Sequence, residues 1–349
     1  MQFNELSDIQ VRHLVDLRQV YEAWHATDRD RAHKFAGSMF WREVGGKSYL
    51  KRKVGRVEKS LGPRSPETEA IHRAFTEGRE AARDRLNGLA ESVDIQAALA
   101  RTVGLGRVPP IVARVLRRLE DAGLMGHVRI VGTNAMFAYE ALAGVMVSPE
   151  ALATGDIDLL IDARHRLKIV VDDDAERTVM GILQSVDHSF EIAGGRRYRA
   201  VNRDGFMVDL IRPQPRPAWK TEPGAGPLAE NDLDPSPIEG LQWLVNSPAV
   251  SVLVVDGRGF PARIVVPDPR LWLLHKKWLS KRATRDPEKK QRDEGQASIL
   301  WDLVSRKLPQ YPLGPDFIKG LPAPLRAAAE ELANDRADTD RPEIRRPNF

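Results

Sequence analysis

The chain has 349 residues, with 53 lysines and arginines against 49 aspartates and glutamates, and it contains no cysteine. This length is enough for two or three domains with substantial cores. The absence of cysteine excludes disulfides, thiolate nucleophiles and cysteine-bound zinc or iron–sulfur centres, so any chemistry must use oxygen and nitrogen groups. The formal net charge of +4 suits a phosphate-bearing partner without requiring one.

Two features predict where the protein resides. No stretch approaches the roughly 18 consecutive apolar residues that a membrane span needs. The first residues, MQFNELSDIQ, carry acids where a secretory signal carries a basic and then an apolar run. We therefore expect a soluble, cytoplasmic protein with no membrane partner.

The N-terminal part combines helices with a small sheet. Apolar residues at three- and four-residue steps predict a helix over residues 7–36. Short β-like runs between Ser38 and Gly62, separated by glycines, predict a small meander. Ser65 is then expected to cap a charged helix that has Pro66 at its first position. We predict that residues 1–105 form an N-terminal helical module with this β-meander.

The middle of the chain alternates between strand-like and helix-like segments, which predicts a mixed sheet with helices packed on it. The predicted strands include HVRIVGT, GDIDLLIDA and GFMVDLIRP, and the predicted helices include NAMFAYEALAG and DAERTVMGILQSV. We assign residues 106–268 to this domain and residues 269–349 to a C-terminal helical region with a loosely ordered tail from Arg336. The predicted fold class is α+β.

The segment GDIDLLID places acids on one face of a strand. Because side chains alternate along a strand, Asp156, Asp158 and Asp162 share one face and the intervening apolar residues share the other. Neighbouring carboxylates repel each other, so a divalent cation would explain their placement. Magnesium binds through one or two carboxylates together with substrate phosphates, which fits this pattern.

A second acidic strand, MVDLI, carries Asp209. If this strand pairs beside the first, three carboxylates converge on one patch. Such a patch can hold two metal ions roughly 4 Å apart, one for the attacking oxygen and one for the leaving group. This is the chemistry of nucleotide transfer.

The segment RIVGTNAMFAYE predicts a strand, a tight turn and a helix. Gly132 lets backbone amides approach a phosphate, and Thr133 or Asn134 can cap a helix whose positive end favours phosphate. Taken alone, each element has a plainer interpretation: a solvated strand edge for the aspartates and an ordinary turn with a cap for Gly-Thr. Their order, and their placement on the correct element types, favour a functional site.

The segments VGTNA, GDIDLLID and FMVDLI, in that order, resemble the DNA polymerase β-like nucleotidyltransferase superfamily. Longer segments, from SLGPRSPETEA to KKQRDEGQA, look like a bacterial family of predicted nucleotidyltransferases. The resemblance implies a polymerase β-like core. The interval from Gly132 to Asp156 is longer than the superfamily norm, and we expect the insert AGVMVSPEALAT to shape the mouth of the site.

The resemblance also implies roles for individual residues. Asp156 and Asp158 would bind two magnesium or manganese ions, and Asp209 would bind the catalytic metal and help to deprotonate the acceptor hydroxyl. The remaining expected contacts are to the nucleoside triphosphate, such as ATP, and they come from Gly132, Thr133, Asn134 and Lys276. For Lys276 the plainer alternative is a solvent-facing lysine of a helix.

Basic residues crowd the predicted meander, with Trp41 and Tyr49 among them. Such a sheet could bind RNA or DNA, and the segment resembles, over a short stretch, the three-stranded arm-binding module of phage-type integrases. A solvated basic face, or a surface that packs on another domain, is the alternative. In the segment RDPEKKQRDEGQA, charges at helical spacings predict ion pairs, and a nucleotide contact from Arg285 or Lys289 is the alternative there.

Three functions stay open at this point. The first is a nucleotidyltransferase that acts on RNA, including a toxin or defence enzyme that modifies tRNA. The second is a transferase that acts on a protein or a small molecule. The third is a nucleotide- or nucleic-acid-binding protein without turnover, against which the presence of all three aspartates argues.

Overall fold

The computed structural model describes residues 3–161, 178–215, 217 and 231–339. The strands, in chain order, are β1 (Phe3–Glu5), β2 (Ser38–Val44), β3 (Lys47–Val54), β4 (Val57–Pro63), β5 (Val128–Val131), β6 (Val145–Val147), β7 (Asp156–Ile161), β8 (Glu191–Ile192), β9 (Arg199–Val201), β10 (Met207–Pro213), β11 (Ser236–Ile238), β12 (Ala249–Val255) and β13 (Pro261–Pro267). The helices are α1 (Asp8–Lys34), α2 (Pro66–Thr102), α3 (Pro110–Asp121), α4 (Ala135–Ala143), α5 (Pro149–Leu152), α6 (Val179–Val186), α7 (Leu241–Val245), α8 (Pro269–Ser280), α9 (Pro287–Lys307), α10 (Pro315–Lys319) and α11 (Ala323–Thr339). The α+β class expected from the sequence is confirmed.

The chain divides into two compact units. The core unit comprises Met1–Ser7, Arg107–Asp256 and Ala262–Phe349, and the meander unit comprises Asp8–Gly106 and Gly257–Pro261. The three-domain partition expected from the sequence stays a prediction. No helix in the described part of the chain combines the length and the apolar character that crossing a membrane takes.

In the meander unit, two long helices flank a three-stranded antiparallel sheet of order β2-β3-β4. The predicted start of α2 is confirmed: the Ser65 side chain accepts a hydrogen bond from the amide of Thr68, and the Ser65 amide donates to the Thr68 hydroxyl at 2.9 Å. This reciprocal capping satisfies two backbone donors at the point where the sheet ends.

The core unit contains the predicted mixed sheet. Its order is β5-β7-β10-β9-β8, and β11 pairs with β10. The central pair, β7 and β10, is parallel, whereas β5 runs antiparallel to β7 and β9 runs antiparallel to β10. Strands β12 and β13 form a separate two-stranded sheet.

Apolar side chains fix the position of β7 within the core unit. Ile157 and Leu159 are fully buried among residues of the core that include Leu119, Ile130 and Trp272. Burying a side chain of this size contributes about 1.5–3 kcal/mol, so the strand has one strongly preferred register. By the same alternation, Asp158, which lies between them, points to the other face of the sheet.

Several elements differ from the sequence-based predictions. The insert before β7 forms strand β6, which pairs with β1, and the short helix α5. The helix α11 includes residues 336–339, for which a loosely ordered tail is predicted. Three predicted parts of the chain lie outside the described residues: Asp162, the portion of the predicted helix before Val179, and residues 340–349 of the tail.

Candidate active site

Strands β7 and β10 bring the three predicted carboxylates to one face of the sheet. In their parallel register, Asp158 lies opposite Asp209 and Asp156 lies opposite Met207. Residues in register on neighbouring strands point to the same side of a sheet. Asp156 and Asp158 are partly exposed, while Ile157 between them is fully buried. The structure therefore has the convergence that the sequence pattern requires.

Burial and neighbouring charges both act on the carboxyl group of Asp158. Burial, together with the charges of Asp156 and Asp209, raises the pKa of Asp158 to about 6. Lys276 and Arg285 act in the opposite direction on the same carboxyl group. Carboxylates held close together and partly out of water are stabilised by a bound cation, and an all-oxygen donor set is the one that magnesium and manganese prefer.

The carboxylates of Asp156 and Asp209, however, are oriented towards hydrogen-bond donors of the protein. Among the described residues, no group of three or more His, Asp or Glu side chains is placed so that it could hold a metal ion. Arg199 donates from Nε to Oδ1 and from Nη2 to Oδ2 of Asp209, at 2.6 Å each. The Thr154 hydroxyl donates to Oδ1 of Asp156. The donor set fits the expected metal, whereas the present orientation of Asp209 fits Arg199.

Gly132 is required by the close approach of Asp158. A β-carbon at residue 132 would lie 2.0 Å from Oδ2 of Asp158, and the backbone φ of Gly132 is +63°. Both features exclude a side chain at this position. The sequence predicts a glycine here for the approach of a phosphate; the group that approaches it in the structure is a carboxylate of the adjacent strand.

The prediction that Thr133 or Asn134 caps helix α4 is wrong. Asn134 occupies the cap position with helical backbone angles, and its side chain makes no capping bond. The first amides of α4 instead bond to carbonyls three residues back, Met136 to Thr133 at 3.0 Å and Phe137 to Asn134 at 3.3 Å. Because this tighter first turn satisfies the amides, the side chains do not need to cap them.

The side chains of Thr133 and Asn134 hold the turn in place. Asn134 donates from Nδ2 to the carbonyl of Asp156 at 2.6 Å. The Thr133 hydroxyl accepts from Nε2 of Gln296 at 3.1 Å, and the same nitrogen donates to the carbonyl of Ala151 at 2.9 Å. The turn, the insert and helix α9 are thus joined at the first residue of β7. Binding of phosphate by this turn stays a prediction.

Lys276 is buried and does not face solvent. Its Nζ donates to Oδ1 of Asp293 at 2.7 Å, and Arg285 donates from Nε to Oδ2 of the same carboxylate at 2.8 Å. Burial lowers the pKa of Lys276, while Asp293 opposes this shift. Arg285 precedes helix α9 and lies eight positions from Asp293, so this ion pair does not have the three- or four-residue spacing on which the prediction is based. Lys277 differs from Lys276, because it binds acids of helices α9 and α11.

Four contacts of this site are not predicted from the sequence. Arg199 binds Asp209, Thr154 binds Asp156, Gln296 holds Thr133 and Asp293 holds Lys276. Arg199 lies on β9, the strand directly before β10, and it is opposite Asp209 in the antiparallel register. The contacts of Gln296 join residues 163 and 145 positions apart and have no local signal.

Comparison with known proteins agrees with this geometry. The model of a family described as Nucleotidyltransferase matches residues 111–316, which is more than half of the chain. The matched range includes β7, β10, the turn at Gly132 and both buried lysines. Searches of the curated proteins and of the solved structures found no match. On the strength of the family match, this chain belongs to the nucleotidyltransferase family.

Proposed function

We propose that the chain transfers a nucleoside monophosphate from a nucleoside triphosphate to a hydroxyl acceptor and releases pyrophosphate, as a member of the polymerase β-like superfamily. The observation that carries this proposal is the register of β7 and β10, which puts Asp156, Asp158 and Asp209 on one face at the turn of Gly132. In the reaction, the acceptor oxygen forms a bond to the α-phosphorus. The bond from that phosphorus to the bridging oxygen breaks, and pyrophosphate leaves with the electron pair.

The three aspartates would hold two magnesium or manganese ions. When bound, such ions neutralise phosphate charge and make the acceptor oxygen a better nucleophile. Asp209, on the neighbouring strand, is the carboxylate that we expect to take the proton from the acceptor hydroxyl. The carboxylate of Asp158 can lie close to the turn because Gly132 has no β-carbon to displace it.

The positive charges next to the carboxylates supply the binding site for the triphosphate. Lys276 and Arg285 both lower the pKa of Asp158, so their charges act on the candidate site directly. Asp293 holds both cations in place through its two oxygens. We propose that Lys276 binds the triphosphate, and that Gly132, Thr133 and Asn134 form the turn against which the phosphates lie.

For the acceptor, we propose RNA, on the basis of one face of the meander unit. In the β2-β3 register, Trp41 pairs with the fully buried Leu50, which assigns these two residues to the inner face. The alternate positions form the outer face, where Phe40 pairs with Lys51 and Arg42 pairs with Tyr49. Aromatic rings among cations are the arrangement that stacks bases and neutralises a phosphodiester backbone.

The charge of this sheet favours the same partner. Residues 38–64 contain eight lysines and arginines, and their only acids are Glu43 and Glu58. Glu58 pairs with Arg42 at 2.8 Å and with Lys51 at 3.8 Å, while Lys47 and Lys53 are exposed and have no acidic partner in the described part of the chain. The Arg42 guanidinium lies 5.5 Å from the centre of the Phe40 ring. The outer face is therefore strongly basic.

Transfer is tested with each of the four α-labelled nucleoside triphosphates, with magnesium or manganese, and with total RNA as acceptor. We expect label in a defined RNA species and release of pyrophosphate, both lost in Asp158→Asn. The control Asp204→Asn removes an exposed acid of the same unit and should leave transfer unchanged. Label on a protein or a small molecule would keep the transferase and overturn RNA as the acceptor. No label and no pyrophosphate, with triphosphate still bound, would identify a binding protein without turnover.

Binding of RNA by the outer face has its own test. Labelled single-stranded RNA is titrated with the double variant Lys51→Glu/Lys53→Glu and with the control Arg29→Glu/Arg83→Glu, which makes the same charge change at exposed helix positions of the same unit. We expect the first variant to lose affinity by at least about tenfold and to show a shallower salt dependence, since fewer phosphates are neutralised. Equal losses in the two variants would contradict a specific face.

A further inference from the structure

Arg199 occupies both oxygens of the third aspartate of the candidate site. The antiparallel register of β9 and β10 places Arg199 opposite Asp209, and the two bonds between them are 2.6 Å each. Both side chains are largely out of solvent, at 20% exposure for Arg199 and 10% for Asp209. The pair is therefore preorganised by the sheet, and it does not depend on flexible surface side chains.

This contact bears directly on metal binding. The guanidinium fills the directions from which Asp209 would bind an ion, and two cations on one carboxylate repel each other. A divalent ion on Asp209 must therefore displace Arg199 or share an oxygen with it. The displaced guanidinium would lose the carboxylate that it binds while it is largely desolvated, which is costly unless another anion replaces that carboxylate. A triphosphate supplies such an anion.

We infer that Arg199 couples the loading of metal to the binding of nucleotide: it holds Asp209 in the absence of triphosphate and releases it when phosphate oxygens replace the carboxylate. Arg199 is a positioning residue in this role, since it acts on the metal through Asp209. The inference rests on the proposed function, because it takes Asp209 to be a metal ligand. It predicts weak metal binding by the protein alone and much tighter binding in the presence of triphosphate.

The alternative is a purely structural ion pair between β9 and β10. In that case, removing Arg199 would leave Asp209 mobile and without a partner, so metal binding would weaken or stay the same. The coupling role predicts the opposite sign, because removal of a competing cation frees the carboxylate. The two roles are therefore distinguished by the direction of the change in metal affinity.

The test uses the full-length protein, freed of metal by dialysis against a chelator, and measures Mn²⁺ affinity by electron paramagnetic resonance of the free ion. The variants are Arg199→Gln, Arg199→Lys and the control Arg203→Gln. The control also removes one guanidinium, but this one is exposed in the turn between β9 and β10 and has no role in the proposed site. Each protein is measured without nucleotide and with a triphosphate analogue that has a methylene group between its α- and β-phosphorus atoms.

Without nucleotide, we expect Arg199→Gln to bind Mn²⁺ at least about tenfold more tightly than the wild type, and Arg203→Gln to stay within about threefold of it. The gain in Mn²⁺ affinity caused by the analogue should fall by about tenfold in Arg199→Gln and persist in Arg203→Gln. Arg199→Lys keeps the charge but loses the two-bond geometry, so an intermediate affinity is expected. Melting curves establish folding, and Arg199→Lys alone decides the question if Arg199→Gln does not fold.

Two failures are distinguishable. If the wild type binds no Mn²⁺ even with the analogue, or if Asp156→Asn/Asp158→Asn binds it equally well, the proposed function is wrong. If Mn²⁺ binding depends on those carboxylates but replacing Arg199 leaves it unchanged or weaker, only the coupling role is overturned.

Discussion

The carboxylate of Asp158 lies against the α-carbon of Gly132, where a β-carbon would be 2.0 Å from Oδ2. We therefore expect Gly132→Ala to displace Asp158 and to reduce nucleotidyl transfer by about a hundredfold, since a shift of about 1 Å in a reacting group has effects of that size. The positive φ at this position adds about 1–2 kcal/mol of backbone strain. Transfer rates and unfolding free energies of the variant measure the two effects separately.

Gly144 is the matched control for this variant. Its φ of +65° is close to the +63° of Gly132, but no atom lies within 4 Å of a β-carbon placed there. Gly144→Ala should therefore lose a similar amount of stability and keep its activity. Equal losses of activity in the two variants would show that backbone strain, and not the contact with Asp158, explains the effect.

Because the pKa of Asp158 is raised, we expect this carboxylate to reduce the stability of the metal-free folded protein above neutral pH. Its pKa is about 3.8 in the unfolded chain and about 6 in the folded protein, so the folded state holds the proton more tightly. The contribution to stability is complete below pH 3.8 and is lost as the pH rises through this window. At pH 8, Asp158→Asn should unfold with about 1–2 kcal/mol more free energy than the wild type, a value reduced from the full shift because the side chain is partly exposed.

Denaturant unfolding with a chelator present, at pH 8 and pH 4, measures this difference. The gain in Asp158→Asn should be close to zero at pH 4, where the wild-type carboxyl is protonated in the folded protein. Asp204→Asn, at an exposed turn, should show no such pH-dependent gain. A gain of equal size at both pH values would show that the charge of Asp158 is not its cause.

Local patterns predicted the parts of the site that lie within single elements. Alternation along β7 correctly separated Asp156 and Asp158 from the buried Ile157, because the period of a strand is fixed by backbone geometry. The cap at Ser65 was predictable for the same reason, since both of its hydrogen bonds join residues three positions apart. Signals of this kind do not depend on the rest of the fold.

Contacts between distant segments could not be predicted in this way. Thr133 has the sequence context of a cap, but the structure gives its hydroxyl to Gln296, and the first turn of α4 satisfies its own amides. Lysines next to each other on a helix usually face solvent, yet Lys276 is buried because Asp293 and Arg285 accompany it. Gln296 and Asp293 both lie in α9, 163 and 17 positions away from these residues, and no periodicity in the local segment points to them.

Lys276 and Lys277 form a natural comparison for triphosphate binding. Both are buried, but Lys276 binds Asp293 and influences the pKa of Asp158, whereas Lys277 binds Glu294 and Asp335. We expect Lys276→Met to weaken binding of the methylene triphosphate analogue by about 10- to 100-fold, the range for loss of a hydrogen bond to a charged group. Lys277→Met should reduce stability and leave this affinity within about threefold of the wild type.

Isothermal titration calorimetry of both variants with magnesium present provides the measurement. If both lose the same affinity, the effect comes from disturbance of helix α8 and not from contact with phosphate. If neither loses affinity, Lys276 is a structural partner of Asp293 and the triphosphate binds elsewhere.

His275 should make the protein sensitive to acid from inside the core unit. Burial, with a smaller effect from the charge of Lys276, lowers its pKa from 6.5 to about 3. The unfolded chain therefore binds a proton between these values while the folded protein does not, so stability falls as the pH decreases through this window. Between pH 7 and pH 5 the loss from this one group is about 2 kcal/mol, a value set almost entirely by the unfolded pKa.

Unfolding free energies of His275→Gln at the two pH values test this expectation, because glutamine does not titrate and so cannot contribute to the pH dependence of stability. The variant should lose about 2 kcal/mol less than the wild type between pH 7 and pH 5, whatever its absolute stability. His188→Gln replaces an exposed histidine in the same unit and should keep the wild-type pH dependence. If His275→Gln keeps that dependence as well, the imidazole is protonated in the folded protein. Asp293 raises the pKa of His275, whereas burial and Lys276 lower it. In that case, the effect of Asp293 on the imidazole would outweigh the effect of burial.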